Sequence, residues 1–256
     1  MRSIFIKELN SFFSSIVGYV AILVFLVTAG LFVWVIPEYT VLRSDGYATL
    51  DVFFDLAPWF LMLLIPAITM RAFADEFRSG TIEWLSTKPL RDVDIIVGKY
   101  LASFTLVVFA LLPTLIYVYT IDNLSAVQID KSLIHVIDGG GIAGSYIGLL
   151  FLAGGFTAVG VFCSSLANNQ IVGFLIALFA CYLLYSGFES LSKVPAFVNG
   201  IDYYLAMVGM AFHYNSISRG LIDSRDVIYF LSVIVLFISL TRLSLNSRTW
   251  DTAKQD

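Results

Sequence analysis

The 256-residue chain is 59% hydrophobic and 13% charged, against about 45–50% and about 25% in soluble domains, so one water-soluble core cannot hold its apolar side chains. Its solvent is largely lipid. A net charge of -4 without a long basic stripe gives no support for a nucleic-acid partner, and Cys163 and Cys181, each inside an apolar run, read as small buried residues and not as a disulfide or a metal pair.

The chain opens MRSIFIKELNSFFSSIVGYV. Phe5, Leu9, Phe12 and Ile16 recur at helical spacing with Arg2, Lys7, Glu8 and Asn10 between them, which predicts an amphipathic elbow over 1–15 lying in the headgroup layer. The alternative is the frayed start of the first span. No charge stands between Glu8 and Glu38, too long a gap for a signal-peptide core of about 7–15 residues, so a retained helix over 16–36 is preferred, closed by Pro37. About 20 apolar residues cross the hydrocarbon. By that measure a second span covers 52–72, with Asp55 near one end and Pro58 and Pro66 inside, where internal prolines predict kinks.

The charged segment 73–98 follows, RAFADEFRSGTIEWLSTKPLRDVDIIVGK from Arg71 to Lys99. Its pattern predicts that the second helix runs past the bilayer and stops at Gly80. A short second helix would then begin at Thr81, carry Glu83 in its first turn and end before Pro89. The other reading is a solvated loop with solubilising charges. A third span is expected over 100–121. Between Gly139 and Phe188 no charge occurs, enough for a fourth span over 141–162 and a fifth over 172–188, divided by Ser164, Ser165, Asn168, Asn169 and Gln170. Gly140, Gly144 and Gly148 clear one face of the fourth for close helix packing, against this chain or a second one. Segment 193–222 is too apolar for an exposed loop and too interrupted for a crossing, which predicts a re-entrant or interfacial element with Tyr203, Tyr204, Phe212 and Tyr214 at the interface. The sixth span covers 227–241. With the N-terminus inside, the inner segments hold ten Lys and Arg and the outer ones Arg43, Lys131, Lys193, Arg219 and Arg225, so both termini are expected to be cytoplasmic.

The run Glu76, Arg78, Ser79, Gly80, Thr81, Ile82, Glu83, Leu85, Lys88, Pro89, Leu90, then Ile95, Gly98 and Lys99, resembles the cytoplasmic segment of type-2 ABC transporter permeases. The resemblance extends over the whole layout. It implies an all-α membrane fold of about six spans with an elbow helix, a cytoplasmic coupling helix and an outer re-entrant hairpin before the last span. It further implies that Glu76, Arg78, Gly80, Thr81, Glu83 and Trp84 couple to a separate dimeric ABC ATPase, which binds ATP and Mg. A second permease, a copy or a paralogue, would complete twelve spans. Lys7, Glu8, Leu9, Phe12, Phe13, Gly18 and Tyr19, and the stretch His213 to Phe230, look like the permease subunit of the gliding-motility-associated exporter of gliding bacteria.

Other chemistries find little footing. Gly98-Lys99 is followed by Tyr100, not Ser or Thr, so no nucleotide-binding loop is present. With only His135 and His213, there is no HExxH, and no GxSxG occurs. The expectation is a transport subunit without catalytic, cofactor or metal site of its own. An ion-coupled secondary transporter, for which Asp55 and Glu189 are the candidate groups, and a membrane-embedded enzyme are the alternatives.

Overall fold

The computed structural model describes residues 1–36, 49–80, 91–124, 126–129, 132–135, 138–195 and 200–252. Among the described residues six helices are long and apolar enough to cross a membrane: Ile16–Trp34, Asp51–Arg78, Asp92–Leu124, Gly139–Leu166, Gln170–Ser192 and Ser224–Ser247. We label the elements in chain order. Helix α1 (Arg2–Phe13) precedes α2 (Ile16–Trp34), and the second span is α3 (Asp51–Thr69) followed by α4 (Arg71–Arg78). The third joins α5 (Asp92–Leu111) through a 3-10 turn, Leu112–Thr114, to α6 (Leu115–Leu124). The fourth is α7 (Gly139–Leu166) and the fifth α8 (Gln170–Tyr182), a π-helical turn at Leu183–Gly187, and α9 (Phe188–Ser192). Two short helices, α10 (Asp202–Val208) and α11 (Met210–Ile217), lead to α12 (Ser224–Thr252).

The fold is all-α but for one short antiparallel pair, β1 (Ala126–Ile129) and β2 (Ser132–His135), in register Ala126↔His135 to Ile129↔Ser132. Pairing rows of four residues is too brief to stand out beside the helical hydropathy around it.

Helix α7 is the axle of the bundle. In its span window 78% of residues are buried, against 22% in the first and fifth spans and 11% in the sixth. Small residues make this central place available: Gly154 lies under Tyr100 and Phe104, Gly155 against Met210 and Phe230, and Gly160 against Thr69. Side chains of that size let neighbouring backbones approach on several sides, and dispersion contacts hold helices together where lipid offers no hydrophobic drive. The outward faces of α2, α8 and α12 carry Leu23, Phe179 and Val235, all exposed.

Helix α1 and the later part of α12 lie at one end of the bundle, which we call the base: Ile4 of α1 shares an apolar cluster with Ala72, Phe73, Ile95, Ile96 and Val161, and Leu245 of α12 packs on it. The third span begins at Asp92, eight residues before the charge-free window that sequence reading selected. Lys99 is the reason, since its charge is neutralised inside the protein, as described below.

At the far end, α10 and α11 meet at Gly209 and are docked, not loose. Tyr214 donates to the Phe54 carbonyl at 2.7 Å and Ser145 to the Ser218 carbonyl at 2.8 Å. Of the glycine row in α7, Gly144 and Gly148 meet this same segment, and Gly140 only its own Asp138 cap. A Cβ on Gly144 would come 2.8 Å from the Cα of Gly220, which itself sits at φ 81°, a left-handed conformation that favours glycine. The face left open by the sequence therefore packs within the chain. His213 ties α11 to α12: Nδ1 meets Asp226 Oδ1 at 2.6 Å, Nε2 the Met207 carbonyl at 2.9 Å, and the ring stacks on Tyr229. A carbonyl only accepts, so Nε2 carries a proton and Nδ1 faces the carboxylate.

Candidate functional site

The base of the bundle gathers the charges. Helix α1 lies across α5 with Ile4 and Phe12 turned inward, and two glycines seat it. A Cβ at Gly98 would stand 3.2 Å from Ile4 Cγ2, and one at Gly18 would stand 2.7 Å from Phe12 Cε1. With α1 drawn this close, Lys7 and Glu8 reach the start of the third span and the arm α4.

Lys99 stands at the centre, 1% exposed. Its Nζ reaches Glu8 Oε1 of α1 at 2.8 Å, Glu76 Oε1 of α4 at 2.9 Å and the Ala72 carbonyl at 2.5 Å, and lies 5.0 Å from the centre of the Phe73 ring. Lys7 adds a second ammonium 3.1 Å from Glu76 Oε1. One buried cation thus meets carboxylates from two elements, and removing it would leave Glu8 and Glu76 only the more exposed ammonium of Lys7. Burial works against the charge of Lys7, but Glu76 and Glu8 outweigh it and raise its pKa above the ordinary lysine value. Glu76 Oε2 is buried without a hydrogen-bond partner among the described residues.

On its opposite side α4 is held by the fourth and fifth spans. Ser164 Oγ accepts from the Phe73 and Ala74 N–H groups at 3.0 and 3.2 Å, Gln170 bonds to Asp75 Oδ1, and Asp75 Oδ2 takes Arg71 Nε at 3.2 Å. Arg71 also donates to Ser15 at the turn between α1 and α2. Between α1 and the second and third spans, Lys7, Glu8, Arg71, Asp75, Glu76 and Lys99 help to line a cavity of about 160 Å³.

Of the residues expected to couple to a partner, Glu76 is turned inward, while Arg78 is exposed at the tip of α4. Gly80 follows at φ 67°, which an L side chain adopts only with strain. Thr81, Glu83 and Trp84 lie outside the described residues. Asp55 is exposed near the start of α3, and Glu189 pairs at 2.7 Å with exposed Lys193. Among the described residues the buried ionisable groups of acid, base and histidine type are Glu76 and Lys99 at the base and His213 and Asp226 at the far end. Neither pair stands at mid-span as a coupled carrier would place it.

Residues 42–241 match the family described as ABC-2 family transporter protein. The chain belongs to this family. It is accordingly the membrane-spanning permease component of an ABC transporter and not the ATPase, and it works with an ABC ATPase in a membrane complex. No individually curated protein matches the sequence. The permease's matched region starts after α2, so Lys7 and Glu8 of the elbow fall outside it while Glu76 and Lys99 fall within.

Three residues of the base do more there than their sequence context predicts. Hydropathy makes Lys99 the boundary of a span, helical spacing makes Glu8 a polar residue of an amphipathic helix, and Ser164 reads as part of a polar turn. A signal was available for the first: Lys99 shares a helical face with Ile95, Ile96, Ala102 and Leu106, so its ammonium needs anionic partners from another element.

Proposed function

We propose that this chain is the permease half of an ATP-driven exporter of the gliding-motility type, with the base and both termini in the cytoplasm of a bacterial inner membrane. The ATPase, which binds the ATP and Mg, docks at the tip of α4 and the segment beyond it, where Arg78, Gly80, Thr81, Glu83 and Trp84 stand. Closing and opening of the ATPase dimer displaces that tip. A second permease, a copy or a paralogue, completes the usual twelve spans. The work done is movement of a substrate across the membrane or mechanical work on the envelope.

The observation that carries this reading is the contact of buried Lys99 with Glu8 and Glu76. Through it α1, α4 and the start of α5 are bound into one unit, so a force at the α4 tip reaches the elbow and the third span together. Glu76 serves in this unit as a tie to the elbow. The stretches 7–20 and 213–230 support the gliding-motility branch by their likeness to permeases of that kind.

Charge reversal at Glu83 tests the docking. Glu83→Lys is expected to detach the ATPase, or to abolish its stimulation by the permease, while membrane insertion stays normal. Co-purification with unchanged ATPase stimulation would contradict the assignment.

A further inference from the structure

The second span is interrupted at Met70, between α3 and α4. In an unbroken helix the N–H groups of Phe73 and Ala74 point at the carbonyls of Thr69 and Met70. Here both point at Ser164 Oγ of α7, at 3.0 and 3.2 Å, and the same hydroxyl donates to the Met70 carbonyl at 3.0 Å. A serine hydroxyl has one proton to give and two lone pairs to offer, so its whole capacity is spent on this junction. Ser164 is 0% exposed, which leaves no water to compete. A side chain inserted into the helical ladder is a known cause of a break in a helix. One turn along α7, Gly160 has no room for a Cβ, which would overlap Thr69 Oγ1. The fourth span is therefore shaped to receive this one point of the second.

We propose that Ser164 is the pin of a two-position joint that sets the direction of α4, a role that rests on reading α4 as the arm moved by the ATPase. In the position seen here the hydroxyl is inserted. In the other it withdraws, the Phe73 and Ala74 N–H groups return to the Thr69 and Met70 carbonyls, and Ser164 turns to the Gly160 carbonyl four residues back on its own helix. Thr157 makes that same kind of bond to Ala153, and Thr241 to Phe237. In the position seen, the Thr69 carbonyl gives up the Phe73 N–H and the three bonds of the Ser164 hydroxyl offset that loss; in the other the carbonyl regains it. A packed element with two discrete bonded arrangements switches between them and does not bend continuously. The eight residues of α4 extend about 12 Å, so a change of direction of about 25° would carry the tip roughly 5 Å.

The test uses the full chain in nanodiscs of phosphatidylethanolamine and phosphatidylglycerol. Spin labels replace exposed Arg78 at the arm tip and exposed Ser247 on α12, with Cys163 and Cys181 changed to Ala in every sample. Ser164→Ala removes the pin, and the mean label distance is expected to move by several ångströms while the melting temperature stays near that of the parent. Ser164→Thr keeps a hydroxyl and Ser164→Val has the same shape without one. The Thr chain is expected to keep the parent distance and the Val chain to follow Ala. A folded Ala chain with the parent's distance distribution would overturn the joint, as would equal displacement by Thr and Val. If the Ala chain does not assemble, the Thr and Val pair decides. No ATPase is present, so this outcome is separate from the Glu83 experiment, which tests the docking itself.

Discussion

Lys99 shows how much one residue can carry. A lysine in an apolar helix is costly unless anions meet it, and here Glu8 and Glu76 both do, at 2.8 and 2.9 Å. Lys99→Met should therefore cost about 1–3 kcal/mol, the usual effect of taking a buried group's hydrogen-bond partner away, since Lys7 still stands 3.1 Å from Glu76. Adding Glu8→Gln and Glu76→Gln to it should recover a large part, because no uncompensated anion remains. Denaturation of the purified chain in mild detergent reads both values. A loss under 1 kcal/mol for Lys99→Met would mean that the three charges are hydrated and do not bind α1 to α4. The presence of Lys99 and Glu76 was legible in the sequence, but their meeting was not. Glu8 and Glu76 are 91 and 23 positions from Lys99 by simple subtraction, and only the packing of α1 across α5 brings all three together.

At the scale of elements, the helices announce themselves through hydropathy, and their ends do not. The third span was expected from residue 100 and begins at Asp92. Asp92 and Asp94 suit the first turn of a helix, where the dipole favours negative charge, and the charge of Lys99 is absorbed by its partners. A charge-free window misses such a start because it treats every charge as facing solvent or headgroups. The β1 and β2 pair was missed for the opposite reason, being too short for any periodicity to register. The glycine row of α7 was legible as a packing face, and the structure adds what it packs against. Gly144→Val should drive the α11 segment off α7 by steric overlap with the backbone of Gly220 and Ile217. The expected cost is about 1–3 kcal/mol, as for other overpacked sites. Gly140→Ala meets nothing but its own cap and should change stability by less than about 0.5 kcal/mol. Equal effects of the two substitutions in thermal melts would contradict this placement of the hairpin.

At the scale of the whole molecule, the charges divide into two buried groups at opposite ends of an apolar bundle. One joins α1, α4 and α5 at the base, and the other, His213 with Asp226, joins α11 to α12 at the far end. Between them α7 supplies small residues against which the other spans pack. The membrane class and the count of spans followed from composition and hydropathy, because lipid imposes both directly. The arrangement around α7 did not, since any of six apolar helices could have held the centre until glycine contacts were known. If the ATPase docks as proposed, a force applied at the exposed tip of α4 would enter through the ionic unit at the base and reach the far end along the packed spans.

Docking of the ATPase at the α4 tip can be read by site-specific photo-crosslinking in native membranes. A photoreactive residue at Arg78 should yield an adduct with the ATPase subunit, while one at Leu221, exposed beyond the far-end hairpin, should yield none. An ATPase adduct from Leu221 with none from Arg78 would contradict both the docking site and the orientation of the chain.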